Sequence, residues 1–225
     1  IGSGGFPGDF EVFGFVPETG DHRSMTRDAL DLILALWEDP KPGLYDHKFW
    51  RFVVPEQDPS IGLRFHVKPY QMPHPPIAVA GVSPNSETLS LAGERGYLPM
   101  SINLVPKETL KTHWDTVEQG AARKGRIADR STWRVAREIF VADTTEEARY
   151  EAKNGNLARD FESYFRKHLT KSKLLDLVKN DPNMADSDVT IDYLIDNVWI
   201  IGSPSDVIKK LNELNRDLGG FGVLL

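Results

Sequence analysis

The apolar and polar positions of this chain change period several times, and the changes mark out its elements. In "HRSMTRDALDLILALWED", Met25, Ala29, Leu32, Ile33, Leu36 and Trp37 recur at three- and four-residue spacing, with Pro40 just beyond. That pattern predicts an amphipathic helix with a firm stop. From Pro40 to Pro76 the chain is rich in proline and aromatics and has no helical period. "FWRFVV" and "LRFHV" predict short strands there, so residues 40–76 are expected to form a hairpin-like excursion.

A regular alternation follows. "PPIAVAG" is a short apolar run of the kind a buried parallel strand shows. "SPNSETLSLAGERG" predicts a helix capped by Ser83 or Asn85 and ended by Gly96. "YLPMSIN" predicts a strand, and "PKETLKTHWDTVEQGAARKG" a helix begun by Pro106 and ended by Gly125. "TWRVAREIFVAD" predicts a single strand, and "TTEEARYEAKNGNLARDFESYFRKHL" one long helix opened by a Thr144–Glu147 capping box. Residues 171–199 form a second, helical excursion, before the helix "SPSDVIKKLNELNRDLG" and the terminal strand "GFGVLL". Strands alternating with crossover-length helices predict an α/β fold with parallel strands.

Composition narrows the chemistry. The 225 residues are 40% hydrophobic and 27% charged, an ordinary globular balance. A formal net charge of -6, with no local basic stripe, argues against a nucleic-acid surface. No apolar run reaches the roughly 18 residues that cross a bilayer. Cysteine is absent, which rules out disulfides and thiolate metal sites and makes a reducing cytoplasm the expectation. His22, His47, His66, His74, His113 and His168 are scattered without metal-ligand spacing, and none of them is assigned a catalytic role.

Four barrel-type strands, "IAVAG", "LPMSI", "WRVAREIFVA" and "FGVLL", leave two readings open. One is a small open sheet. The other is the carboxyl half of a (β/α)8 barrel, with Ile1 and Gly2 as the end of a preceding strand. "AGVSPNS" is an anion-site recipe on either reading. Ala80 and Gly81 end a strand, Gly81 lets the backbone come close, Ser83, Asn85 and Ser86 offer donors, and a helix start follows. Simple helix capping explains the same residues. Asp9, among glycines, suits either a turn cap or a pair with Arg23, and Asn103 at a strand end suits either a ligand contact or a turn.

"GGFPGDFEVFG", followed by "HR" and the helix ending "LILALW", resembles the flavin-dependent bacterial luciferase-like monooxygenases through Gly4, Gly5, Asp9, Phe10, Phe13, Gly14 and Arg23. "PHPPIAVAGVSPNSETLSLAGERGYLPM", "FVADTTEEAR" and "WIIGSPSDVIKKLNELNRDLGGFGVLL" are similar to later segments of that family. The resemblance implies a TIM barrel of the luciferase-like type. This chain would supply strands 5–8 and the end of strand 4, as one domain over 1–225.

The resemblance also implies an enzyme that uses reduced FMN and O2 to oxygenate a small, mostly apolar organic substrate. A separate flavin reductase would supply the reduced FMN, and the enzyme would be a homo-oligomer. It places the FMN phosphate at Ala80, Gly81, Ser83, Asn85 and Ser86, and puts Ser3, Gly4, Asp9 and Asn103 beside the flavin. It implies no catalytic residue here, because the family's catalytic histidine belongs to the other half of the barrel. A deazaflavin-dependent oxidoreductase of the same superfamily, or a non-catalytic flavin-binding or partner subunit, are the alternatives. Tyr45, Phe49, Trp50, Phe52 and Phe65 are either a lid over an apolar pocket or simple packing.

Overall fold

The structure, a computed structural model, describes residues 1–16, 19–62 and 68–225. It contains two compact units, Gly2–Ile77 and Ile1 with Ala78–Leu225. "LRFHV", with Phe65 and His66, lies outside the described residues.

In the first unit a short helix, α1 (Pro7–Glu11), precedes the long helix α2 (Asp21–Glu38). Asp9 Oδ2 accepts the backbone N–H groups of Gly5 and Phe6 at 3.2 and 3.1 Å. It thereby satisfies donors that the start of a helix leaves free. Strands β1 (Gly43–Asp46) and β2 (Arg51–Val54) form an antiparallel hairpin. Tyr45 and Phe52 face each other in its register and stack at 5.1 Å.

The second unit is built on a four-stranded sheet in the order β3 (Ala78–Gly81), β4 (Leu98–Ser101), β5 (Arg134–Val135), β8 (Val223–Leu224). Every neighbouring pair in it is parallel. Ile1 bonds to β3, its N-terminal amine donating to the Ala78 carbonyl at 2.7 Å. Helix α3 (Glu87–Arg95) connects β3 to β4, and α4 (Lys107–Ala122) leads on towards β5. These two helices touch backbone to backbone. A Cβ at Gly93 would lie 2.0 Å from the Val117 carbonyl oxygen, and one at Gly120 would lie 2.1 Å from that of Ser90.

The segment expected as one strand is two. Residues 134–135 lie between β4 and β8, whereas β6 (Ile139–Val141) leaves that sheet to pair in parallel with β7 (Ile200–Gly202). The expected long helix is likewise divided into α5 (Thr145–Asn154), α6 (Asn156–Asp160), a π-helical turn (Phe161–Phe165) and α7 (Arg166–Lys171). Gly155 makes the first break, with φ -97° and ψ -153°, and a Cβ there would lie 2.5 Å from the Glu151 carbonyl oxygen. Thr144 caps α5 as expected, its hydroxyl accepting from the Glu147 N–H at 3.1 Å. The 171–199 excursion is mostly short turns and ends in α8 (Ile191–Asn197).

Helix α9 (Pro204–Asp217) opens at Ser203, whose hydroxyl accepts from the Asp206 N–H. Val207, Leu214 and Leu218 then join Leu89, Val105, Leu110, Trp114, Val117, Trp133, Val135 and Ile200 in one buried cluster between sheet and helices. Among the described residues no helix is long and apolar enough to cross a membrane.

Candidate functional site

Three backbone bonds link the ends of the four strands. The Ile102 N–H donates to the Gly81 carbonyl at 3.2 Å, that of Ala136 to Ser101 at 2.9 Å, and that of Arg137 to Leu225 at 3.1 Å. The chain leaves the sheet at this rim, and in parallel α/β folds ligands gather at such carboxyl ends.

Ala80, Gly81, Ser83, Asn85 and Ser86 are brought together in the turn from β3 into α3. Gly81 suits the crowding there, since a Cβ would lie 2.5 Å from Leu89 Cγ and 2.7 Å from Ser86 Oγ. Asn85 has φ +52°, in the left-handed region that asparagine tolerates better than most residues. The caps differ from expectation, for the cap position belongs to Ser86, and neither Ser83 nor Asn85 holds it. Ser86 is buried, and its hydroxyl pairs at 2.9 Å with that of Thr88, which itself donates to the Ala80 carbonyl at 2.6 Å. Its side chain is used inward and makes no capping bond, which leaves the first-turn amides of α3 without a side-chain cap from it. Ser83 and Asn85 are exposed on the outer side of the turn.

Helix α4 holds this turn from two adjacent positions. The Asn85 N–H donates to Thr112 Oγ1 at 3.1 Å, and His113 Nε2 lies 3.0 Å from the Ser83 carbonyl oxygen. His113 has no exposed surface, and burial pulls its pKa down to about 4. Its Nδ1 lies 2.9 Å from Ser101 Oγ, which also accepts from Trp133 Nε1 at 2.9 Å.

At the end of β4, Asn103 Nδ2 donates to Glu138 Oε1. The other carboxyl oxygen, Glu138 Oε2, is buried with no hydrogen-bond partner. Burial raises the Glu138 pKa, and it lowers that of its neighbour Arg137 to about 10. No local sequence pattern marks Thr112 or Glu138 as a site residue. His113 had a signal, since it falls on the apolar stripe of α4 between Leu110 and Trp114.

Ser3, Gly4 and Asp9 belong to the first unit. Ser3 is half-buried. Gly4 has φ +88°, and a Cβ on it would lie 3.0 Å from the Phe10 ring. Asp9 takes the turn-capping role, and those backbone donors lower its pKa. Phe10 is buried edge-on against His22, whereas Phe13 is exposed.

The sequence pattern that defines the luciferase-like monooxygenases matches residues 1–220. This chain is a member of that family. It is 32% identical over 212 residues to 3,6-diketocamphane 1,6-monooxygenase of Pseudomonas putida, covering 92% of this chain and 56% of that one. It is also 32% identical over 239 residues to 2,5-diketocamphane 1,2-monooxygenase 2 of the same organism, covering 100% and 63% respectively. Among solved structures it resembles the oxygenating constituent of 3,6-diketocamphane monooxygenase from Pseudomonas putida, a type II Baeyer-Villiger monooxygenase in complex with FMN. That match has a TM-score of 0.83 at 30% identity and covers 100% of this chain and 62% of the other. The chain therefore spans a little over half the length of these luciferase-like relatives.

The β3–α3 turn suits a phosphate by the chemistry of its donors. Exposed hydroxyl and amide side chains at Ser83 and Asn85 stand beside a helix start that carries partial positive charge. The Gly81 cradle lets the chain fold close to that start.

Proposed function

We propose that this chain is part of an FMN-dependent monooxygenase that uses reduced FMN and O2 to oxygenate a small, mostly apolar organic substrate. The observation that carries the proposal is the β3–α3 turn, with its outward Ser83 and Asn85 and an α3 start that Ser86 does not cap. The similarity to an FMN-bound relative over the whole chain supports it. In this reading strands β3, β4, β5 and β8 are strands 5–8 of a luciferase-like barrel. Residues 1–225 then belong to one barrel domain, with excursions at 40–76 and 171–199.

Bound FMN would supply the redox chemistry, two electrons that reduce O2 so that one oxygen atom enters the substrate and the other leaves as water. The chain's own residues position it. Ser83, Asn85 and the first-turn amides of α3 hold the phosphate, Gly81 and Ala80 set the turn, and the family resemblance assigns Ser3, Gly4, Asp9 and Asn103 to the flavin. Apolar substrates fit the relatives, which act on diketocamphanes; a cyclic terpenoid ketone is the first substrate to try. A flavin reductase as the source of reduced FMN, a homo-oligomeric state and a cytoplasmic location complete the proposal.

The test is turnover by the full-length protein supplied with reduced FMN, O2 and such a ketone. A product heavier by one oxygen atom supports the proposal. Tight FMN binding with reduced flavin consumed only to hydrogen peroxide, across a panel of apolar ketones, counts against it.

A further inference from the structure

Helix α4 grips the β3–α3 turn on both sides of Pro84, through the half-buried Thr112 and the fully buried His113. Thr112 Oγ1 takes the Asn85 N–H at 3.1 Å while donating its own proton to the Thr109 carbonyl at 2.7 Å. One residue along, His113 Nε2 meets the Ser83 carbonyl at 3.0 Å.

The directions of these bonds follow from their chemistry. A carbonyl oxygen only accepts, so His113 Nε2 carries the proton. The ring is fully buried and neutral near pH 7, so Nδ1 is an acceptor and the Ser101 hydroxyl donates to it at 2.9 Å. Ser101 Oγ keeps a lone pair for the Trp133 indole N–H, also at 2.9 Å. The result is a one-way relay in which Trp133 donates to Ser101, Ser101 to His113, and His113 to the Ser83 carbonyl. Trp133, Ser101 and His113 are buried and satisfied, and a satisfied buried network has a single low-energy arrangement.

We infer that His113 and Thr112 are positioning residues for the phosphate of the flavin, acting through the backbone of Ser83 and Asn85. This rests on the reading of the β3–α3 turn as a phosphate site. The clamp fixes both peptide groups that flank Pro84 and holds Asn85 at φ +52°. Released, the turn relaxes from that left-handed backbone, and Ser83 and Asn85 no longer converge on one anion. Only the phosphate end of the ligand would feel the loss.

Affinities of the full-length protein for FMN and for riboflavin, which lacks the phosphate, separate these effects. The amide of His113→Gln reaches the place of Nε2 and preserves the bond to Ser83. The shorter His113→Asn keeps a partner for Ser101 and gives up that bond. The wild type is expected to favour FMN clearly. His113→Asn should lower the FMN-to-riboflavin affinity ratio about tenfold, the scale of one hydrogen bond, with riboflavin affinity unchanged, and His113→Gln should restore most of it.

Thr112→Val, at a half-buried helix position, carries the same expectation if the asparagine variant does not fold. A wild-type ratio in His113→Asn, or in Thr112→Val where the former does not fold, overturns the inference. Equal affinity of the wild type for FMN and riboflavin overturns the phosphate reading itself, and the inference with it.

Discussion

His113 and Ser83 are joined by a hydrogen bond of 3.0 Å from a fully buried imidazole to a backbone carbonyl. Burial of that imidazole makes the protein's stability depend on pH. Burial lowers the His113 pKa from the ordinary 6.5 to about 4. The unfolded chain therefore takes up this proton first as pH falls. Stability contributed by the neutral ring is complete above pH 6.5 and is lost as pH drops towards 4, by about 3 kcal/mol in all. The His113→Gln variant lacks this component. Urea unfolding of both proteins at pH 7 and pH 4.5 is expected to show the wild type losing roughly 2–3 kcal/mol more than the variant. Parallel losses in the two proteins would contradict the assignment.

Two glycines should differ in how badly they tolerate alanine. At Gly81 the new methyl meets side chains, Leu89 Cγ at 2.5 Å and Ser86 Oγ at 2.7 Å. Repacking there should cost about 1–3 kcal/mol. At Gly93 the methyl meets main chain, the Val117 carbonyl oxygen at 2.0 Å and the Ala121 nitrogen at 2.7 Å. Helices α3 and α4 must then move apart, so the cost should exceed that at Gly81. Unfolding midpoints in urea would rank the two variants, and a smaller loss for Gly93→Ala would refute the backbone-contact argument.

Glu138 is half-buried with one carboxyl oxygen fully enclosed, and its pKa is raised, first of all by burial. A raised carboxylate pKa means stability is lost as pH climbs from the unfolded value through the folded one. Glu138→Gln removes that loss and keeps an oxygen to accept from Asn103 Nδ2. The variant is expected to be more stable than the wild type at pH 7, with the advantage shrinking towards pH 4.5. Thermal melts across that range test this, and an advantage that grows on acidification would refute it.

Much of this could be read from residues, and what could not has identifiable causes. Helices α2, α4 and α9 were legible because one apolar stripe and their end residues agree. Thr144 caps where its spacing says. The break after Val135 was not legible, since "WRVAREIFVA" is uniformly strand-like and only a change of partner, from β4 and β8 to β7, divides it. Gly155 and the π-turn at 161–165 interrupt a segment whose composition is helical throughout. In the candidate site, Gly81, Ser83 and Asn85 were visible as a strand–turn–helix junction, but Ser86 turned inward because Thr88 offered it a partner. Thr112 and His113 reach the turn from 27 and 30 residues away, a relationship no local pattern encodes.

The most direct measurement is calorimetric titration of the wild type and Ser83→Glu with FMN and with riboflavin. A carboxylate at position 83 would stand where the phosphate is proposed to sit. The expected result is loss of FMN binding with riboflavin binding retained. Unchanged FMN affinity in Ser83→Glu would contradict the assignment of the β3–α3 turn as the phosphate site.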